Sequence, residues 1–301
     1  MTGRFLNYVE IKTKITSVFA LLMTLAYIFY TGQPIDWKLT LIFSASMFLF
    51  DLTTTAINNY IDTKTNDQNL AFGRTAALVI IYIMFIISAA LGLYLVLLTD
   101  LAVLFLGGLC FLCGVLYTWG PVPISRQPLG ELLSGIFYGF FIPMILLYIN
   151  MPKGTYFTYG LSLSTISVSV NVLPLLKVIL LSAVPVCVTA NIMLANNICD
   201  VEKDILVKRF TLPYYLGKKA SVILFAGIYY AAYLAVLIMV ISGILSPLCL
   251  ITLLTLIPVQ KNLNEFFKLQ DKAVTFIVSI KNFVLIMSVL SLTIFVSGLG
   301  R

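Results

Sequence analysis

One five-residue pattern occurs twice in the chain and carries the side chains best suited to chemistry. The sequence NNYID at residues 58–62 recurs as NNICD at residues 196–200. Residues four apart on a helix lie on the same face, so Asn58 projects together with Asp62, and the acid of the second copy projects together with Asp204. Two such faces could place oxygen ligands around one shared cation.

Further acidic residues follow both copies. Of the twelve Asp and Glu residues in the chain, five collect here, namely Asp62, Asp67, Asp200, Glu202 and Asp204. Carboxylates at this density repel one another unless a cation lies between them. The chain has no histidine, and hard oxygen ligands favour Mg²⁺, which proteins usually hold with one or two carboxylates and the phosphates of the substrate. We therefore predict Mg²⁺ and a phosphate ester substrate.

Basic residues alternate with these acids, namely Lys64, Arg74, Lys203, Lys208 and Arg209. Such cations can receive phosphate oxygens and the charge that develops on a leaving diphosphate. The predicted diphosphate-binding residues are Lys64, Arg74, Asn196, Lys208 and Arg209. Each Asn or Asp alone could instead be a helix cap or turn former, with the basic residues serving membrane topology. The repetition of the pattern favours a functional site.

Four further residues are candidates for a pocket that takes an aromatic acceptor or a carbocation: Asp51, Tyr60, Tyr117 and Trp119. Asp51 precedes Asn58 by seven residues and so lies on the same helix face. Burying an acid in a membrane costs about 2.5–3.5 kcal/mol, which makes it a functional candidate, although a hydrogen bond to a neighbouring helix would also explain it. Tyr117 and Trp119 could line the pocket or belong to an interfacial aromatic belt.

The elements that must position these residues are membrane-spanning helices. Sixty per cent of the 301 residues are hydrophobic and 10% are charged, whereas a soluble domain has about 25% charged residues. A spanning helix needs about 20 mostly apolar residues. Nine apolar runs have suitable length, at about 15–31, 39–58, 75–98, 101–117, 131–149, 173–196, 220–242, 245–259 and 276–297.

The sequence therefore predicts an all-α membrane protein, with nine transmembrane helices around a central cavity and a cytoplasmic cap of inter-helix loops. We expect one domain over residues 1–301, made of two four-helix pseudo-repeats at about 15–117 and 131–259 and a ninth helix. Gly135 and Gly139 form a GxxxG pattern that predicts close helix packing.

Most Lys and Arg residues fall on the side of the N-terminus and of the acidic loops when nine spans are assumed. The positive-inside rule then places that side in the cytoplasm of a multi-pass cell-membrane protein. Basic loops facing anionic lipid account for the net charge of +7, so membrane lipid is an expected partner and nucleic acid is not.

The chain resembles the UbiA-type intramembrane prenyltransferases, whose hallmark is two Asp-rich motifs after helices two and six of nine. Within that family it is most similar to the branch that prenylates 1,4-dihydroxy-2-naphthoate in menaquinone biosynthesis. Beyond the motifs, the resemblance rests on VEIKTK at 9–14, LYTWGP at 116–121, GEL at 130–132 and NNICDVEKD at 196–204.

The resemblance implies Mg²⁺ at Asp62, Asp67, Asp200 and Asp204, with Asn58 beside them. These Asp residues would act in catalysis, removing the diphosphate from a polyprenyl donor so that the allylic cation alkylates an aromatic ring. In the naphthoate branch, the ring carbon that carries the carboxylate is attacked and carbon dioxide is lost, which gives demethylmenaquinol.

The chain departs from the family pattern in both loops. The first motif usually reads NDxxD, whereas Asn59 replaces its first Asp here, Asn66 stands four residues after Asp62 and Asp67 stands five after it. In the second loop, Phe210 takes the place that Arg often has before Thr-Leu. Two other readings stay open, a family member with 4-hydroxybenzoate, haem or chlorophyllide as acceptor, and a cation-coupled transporter with acidic repeat loops.

Overall fold

The computed structural model describes residues 2–64, 70–120, 123–162 and 164–300, and it is built almost entirely of helices. They are α1 (Thr2–Tyr8), α2 (Ile15–Tyr30), α3 (Trp37–Asp62), α4 (Arg74–Leu98), α5 (Leu101–Thr118), α6 (Gly130–Ile136), α7 (Ile142–Asn150), α8 (Val172–Leu206), α9 (Leu212–Leu216), α10 (Lys218–Ile241), α11 (Leu256–Lys268) and α12 (Ile277–Leu299). A π-helical segment, Phe137–Phe141, joins α6 to α7. Short 3₁₀ segments precede α2, α6 and α11 at Ile11–Lys14, Ile124–Arg126 and Pro247–Thr255.

Within the described ranges, eight helical spans are long and apolar enough to cross a membrane. They coincide with eight of the nine predicted runs, which confirms a multi-pass helical membrane protein. The run predicted at 245–259 folds instead as the 3₁₀ segment Pro247–Thr255 followed by α11. Because α11 becomes polar from Gln260 onward, its apolar stretch is short for a bilayer. The predicted count of nine is therefore not confirmed.

Helix α8 is the central scaffold and packs against α6, the π-helical segment, α10 and α12. Gly135 of α6 and Gly139 of the π-helical segment make the first two of these contacts possible. A Cβ atom on Gly139 would lie 2.3 Å from the backbone nitrogen of Val186, and one on Gly135 would lie 2.7 Å from its carbonyl oxygen. The close approach predicted for the GxxxG pattern is thus confirmed, with α8 as the partner helix.

A β-hairpin lies between α7 and α8, at the end of the molecule opposite to the NNxxD repeats. Its strands, β1 (Phe157–Leu161) and β2 (Ile166–Val170), are antiparallel and pair Phe157 with Val170. The all-α prediction missed this element, although Ile166–Val170 reads ISVSV, an alternation of apolar and polar residues that is typical of a strand. The ring of Phe157 stacks on Tyr148 of α7 at 5.1 Å, which holds the hairpin against the helices.

Candidate active site

A cavity of about 1290 Å³ opens beside the carboxyl-terminal ends of α3 and α8. Its mouth is polar and is lined by residues of both NNxxD repeats, namely Asn58, Asn59, Asp62, Asn196 and Asp200, and by Asp204, which follows the second repeat. Deeper in the helix bundle, the wall is apolar and includes Phe43, Val103 and Ile145. One cavity therefore combines a charged entrance with a mainly apolar interior.

The acids of the mouth lie within electrostatic reach of one another. Asp204 interacts with both Asp200 and Asp62, and with the guanidinium of Arg209. Arg209 Nη1 lies 3.5 Å from Asp204 Oδ1, whereas Asp204 Oδ2 is buried and has no hydrogen-bond partner among the residues that the structure describes. Lys272, from the segment before α12, lies 2.6 Å from Asp200 Oδ2. The last acid of each repeat and Asp204, one helical turn after the second repeat, therefore lie within electrostatic reach of one another and of cations.

The first Asn of each repeat also has a fixed partner at the mouth. Asn58 Oδ1 accepts a hydrogen bond from the Thr118 hydroxyl at 3.1 Å. Asn196 Oδ1 accepts one from the Lys272 ammonium. Both carbonyl oxygens are thereby held at the mouth, next to the acids that follow them by one helical turn.

The second Asn of each repeat has a structural role instead. Asn59 donates to the Tyr8 carbonyl at 2.8 Å and so ties α3 to α1. Asn197 donates to Glu131 Oε1 at 2.8 Å and ties α8 to α6. An Asp at position 59 could not donate this hydrogen bond, which gives a physical reason for the departure from the family's first motif.

The predicted cations divide into two groups. Arg209 lines the cavity, as does Lys203. Lys64 and Arg74 instead pack on the ring of Tyr60, at 5.0 and 5.5 Å from its centroid. Arg74 also donates hydrogen bonds to the carbonyls of Tyr60 at 3.2 Å and Thr63 at 2.9 Å. It thereby caps carbonyl groups at the carboxyl-terminal end of α3.

The remaining predicted site residues are distributed as follows. Tyr117 lines the cavity, and its hydroxyl lies 3.4 Å from that of Ser134. Trp119 is 62% exposed and is not among the residues that line the cavity; the same holds for Lys208 and Glu202, which are exposed. Asp67 lies outside the described residues. The functional roles of all these residues stay predictions.

Two cations of the mouth were missed by the sequence analysis, Arg126 and Lys272. Arg126 lies within electrostatic reach of Asp62. Neither belongs to a repeat, and Lys272 is separated from its partner Asp200 by 72 residues. Local spacing contains no signal for such pairs. What the sequence did show is that both residues are basic and lie in loops predicted on the same side of the membrane as the acidic loops.

Asp51 forms a buried ion pair inside the cavity wall. Its Oδ1 lies 2.8 Å from the ammonium of Lys14, and the two side chains are 5% and 3% exposed. The sequence analysis left open a functional acid or a hydrogen bond to a neighbouring helix. The structure confirms the hydrogen bonds, which come from Ser17 of α2 and from Tyr138 of the π-helical segment. It adds the ion pair with Lys14, a residue that the sequence analysis had assigned to no site.

The carboxylates of the mouth fit a divalent cation in their chemistry. The unpartnered Asp204 Oδ2 is a hard oxygen ligand. Among the side chains that the structure describes, which exclude Asp67, no group of three His, Cys, Asp or Glu could hold a metal by itself. Proteins usually hold Mg²⁺ with one or two carboxylates and leave the other positions to phosphate and water. The oxygen atoms at the mouth are of the type that such a site uses.

Comparison with known proteins identifies sequence relatives. The model of the UbiA prenyltransferase family matches residues 18–295. The 1,4-dihydroxy-2-naphthoate octaprenyltransferase of Bacillus subtilis (strain 168) is 30% identical over 196 residues, which are 65% of this chain and 56% of that protein. The match thus spans little more than half of that relative.

Solved structures share the fold at low sequence identity. A structure of digeranylgeranylglyceryl phosphate synthase has a TM-score of 0.67 and 17% identity, covering 100% of this chain and 99% of that one. A UbiA homolog from Archaeoglobus fulgidus bound to GPP and Mg²⁺ has a TM-score of 0.65 and 12% identity over 98% and 99%. An apo UbiA homolog from Aeropyrum pernix K1 has a TM-score of 0.64 and 16% identity over 93% and 96%.

Proposed function

Because the chain belongs to the UbiA prenyltransferase family, we propose that it transfers a polyprenyl group from polyprenyl diphosphate to an aromatic ring in a Mg²⁺-dependent reaction. One observation carries the proposal, the cavity whose acidic and basic mouth leads into an apolar interior. The mouth suits a diphosphate, and the interior suits a hydrocarbon chain. The A. fulgidus homolog is described with GPP and Mg²⁺ bound, which supports the same pairing here.

Mg²⁺, when bound, would neutralise the diphosphate and favour its departure. Asp62, Asp200 and Asp204 would hold it, with Asp67 and the Asn58 carbonyl as the other predicted ligands. Arg126, Lys203, Arg209 and Lys272 line the same mouth. Their charges would bind the phosphate oxygens and stabilise the leaving group as the allylic carbon–oxygen bond breaks.

Aromatic side chains of the wall would protect the allylic cation. Tyr117, Phe137 and Phe141 line the cavity, and the faces of aromatic rings stabilise a nearby positive charge. An apolar interior also excludes the water that would otherwise capture the cation. The cation would therefore survive long enough to alkylate the acceptor.

We propose 1,4-dihydroxy-2-naphthoate as the acceptor, with loss of carbon dioxide and formation of demethylmenaquinol. The name of the B. subtilis relative supports this choice. The reaction would then belong to menaquinone biosynthesis.

We further propose that the mouth faces the cytoplasm of a cell membrane, with the inter-helix loops as its cap. The bias of Lys and Arg toward that side supports this orientation. The 3₁₀ segment Pro247–Thr255 and α11 would together act as the ninth membrane crossing. They are consecutive and lie between α10 and α12, so one crossing here would let successive spans keep alternating in direction across the membrane.

The test is prenyl transfer in detergent or liposomes with a radiolabelled polyprenyl diphosphate, 1,4-dihydroxy-2-naphthoate and Mg²⁺. We expect product from the parent, loss of product with EDTA, and loss with Asp200→Asn. Glu202→Gln is the matched control, because this exposed acid belongs to the same segment but does not line the cavity.

The other outcomes discriminate between alternatives. Product with 4-hydroxybenzoate and none with the naphthoate would keep the reaction class and change the acceptor. No transfer from any prenyl diphosphate by a folded protein would contradict the enzyme and leave the transporter. Equal losses in Asp200→Asn and Glu202→Gln would contradict the placement of the site.

A further inference from the structure

Asp51 is the centre of a hydrogen-bond network in the cavity wall. Its carboxylate accepts from the Lys14 ammonium at 2.8 Å, the Ser17 hydroxyl at 2.7 Å and the Tyr138 hydroxyl at 2.7 Å. Lys14 also donates to the Asp51 carbonyl at 2.9 Å and to the Thr55 hydroxyl. The charges of the pair cancel, and its donors and acceptors are matched, so the network holds its members in fixed positions.

The network lies deeper in the cavity than the diphosphate site. Asp51 precedes Asn58 by two helical turns, a distance of about 10 Å along α3. Both residues line the cavity, as do the intervening Thr54 and Thr55. This leaves space for an aromatic ring between the carboxylates of the mouth and the network.

Tyr138 combines unused hydrogen-bonding capacity with a position in the cavity lining. A tyrosine hydroxyl has one proton and oxygen lone pairs, and Tyr138 gives its proton to Asp51. Its oxygen can therefore accept a hydrogen bond but has no proton left to donate. Because Tyr138 also lines the cavity, a bound ligand with a hydroxyl group would complement it.

Two aromatic neighbours of Tyr138 in the chain line the same cavity. Tyr138 belongs to the π-helical segment Phe137–Phe141, and such segments occur frequently at functional sites. Phe137 and Phe141 stack at 5.2 Å between ring centroids, with 12° between their planes, and both line the cavity. A hydrogen-bond acceptor and two aromatic rings in the lining of one cavity match a hydroxylated aromatic compound.

We propose that Tyr138 accepts a hydrogen bond from a ring hydroxyl of the aromatic acceptor and thereby orients the ring toward the allylic carbon. Asp51, Lys14 and Ser17 are positioning residues, because they fix the direction of the Tyr138 proton. The proposal rests on the proposed prenyl transfer and adds a requirement for a free hydroxyl on the ring. A methyl ether at that position has no proton to give and leaves the Tyr138 oxygen without a partner.

The experiment compares Tyr138→Phe with the parent, using 1,4-dihydroxy-2-naphthoate and its two monomethyl ethers as acceptors. The parent is expected to discriminate against one ether, and Tyr138→Phe to lose that discrimination while its KM for the naphthoate rises about three- to tenfold, the effect of one hydrogen bond. The KM for polyprenyl diphosphate should stay within about twofold of the parent value, because the mouth is unchanged.

Tyr148→Phe is the matched control. Its hydroxyl also donates to a carboxylate, Asp100 Oδ2 at 2.8 Å, but Tyr148 is not among the residues that line the cavity. It should behave as the parent with all three acceptors. Equal discrimination in the parent and in Tyr138→Phe would overturn the assignment of Tyr138, as would a rise in the KM for both substrates.

Competition in the unaltered protein gives the same test without a substitution. The unfavoured ether should inhibit transfer to the naphthoate at least several-fold more weakly than the favoured one, and equal inhibition by both ethers would also overturn the proposal. A parent that transfers prenyl groups to no hydroxylated aromatic compound would contradict the proposed function itself, which separates the two failures.

Discussion

At the scale of single residues, the chemistry depends on which charged groups reach the mouth of the cavity. The sequence pattern assigned Arg74 and Arg209 to the diphosphate with equal weight. The structure separates them, because Arg74 packs on Tyr60 and bonds the end of α3, whereas Arg209 lies next to Asp204. The effects of replacing them should differ accordingly.

We predict that Arg209→Gln raises the KM for polyprenyl diphosphate by about tenfold or more, since a hydrogen bond to a charged group contributes about 1.5–3 kcal/mol. Arg74→Gln should change that KM by less than about twofold, because the Arg74 guanidinium donates its hydrogen bonds to carbonyls at the end of α3. Steady-state kinetics with the donor varied would measure both. A larger effect for Arg74 would restore its original assignment.

Lys272 competes with any cation for the carboxylate of Asp200, because its ammonium already lies 2.6 Å from Oδ2. We predict that Lys272→Met lowers the Mg²⁺ concentration needed for half-maximal activity. Titration of prenyl transfer with Mg²⁺ measures the effect. Lys268→Met is the control, since that residue is exposed at the end of α11, and an unchanged Mg²⁺ requirement in Lys272→Met would contradict the competition.

At the scale of secondary-structure elements, the contact between the π-helical segment and α8 determines the shape of the cavity wall. We predict that Gly139→Ala destabilises the folded protein by about 1–3 kcal/mol, because the added methyl group would overlap the backbone at Val186. The midpoint of thermal aggregation in detergent, followed by size-exclusion chromatography, measures the loss.

Gly227→Ala is the matched control for this substitution. Gly227 also lies within a helix, α10, but a Cβ atom there meets nothing within 4 Å. Alanine has a higher helix propensity than glycine, so this variant should be as stable as the parent or more so. Equal stability of Gly139→Ala and Gly227→Ala would show that the helices can separate at no cost.

The N-terminal segment is attached to α3 through a buried charge pair. We predict that Lys14→Met destabilises the protein by about 3–5 kcal/mol, because it leaves the carboxylate of Asp51 buried without its cation. Lys12→Met, at an exposed position two residues earlier, should have little effect. Both are compared by thermal melting in detergent, and a Lys14→Met variant as stable as the parent would show that the ion pair does not contribute to stability.

At the scale of the whole molecule, the cavity mouth and the β-hairpin lie at opposite ends of the helices. The predicted orientation places the mouth in the cytoplasm and the hairpin outside the cell. In a background without the five native cysteines, an impermeant maleimide should label Ser167→Cys in intact cells. Glu202→Cys should be labelled only after the membrane is opened or inverted, and the reverse pattern would contradict the orientation.

The sequence by itself determined the membrane class, the approximate positions of eight spans and the two segments whose acids lie at the mouth of the cavity. These properties are local: a helix in lipid must satisfy its backbone hydrogen bonds internally, so an apolar run of sufficient length specifies a span without reference to the rest of the chain. The repeat of NNxxD was equally visible, because it depends on spacing alone.

Only the tertiary structure decided which side chains surround those acids. Lys272 and Arg126 reach the mouth from distant segments, Lys14 pairs with Asp51, and Asn59 bonds to α1. Each depends on how a helix is rotated and on which neighbour packs against it. Long-range contacts of this kind follow from close packing, which sequence spacing does not encode.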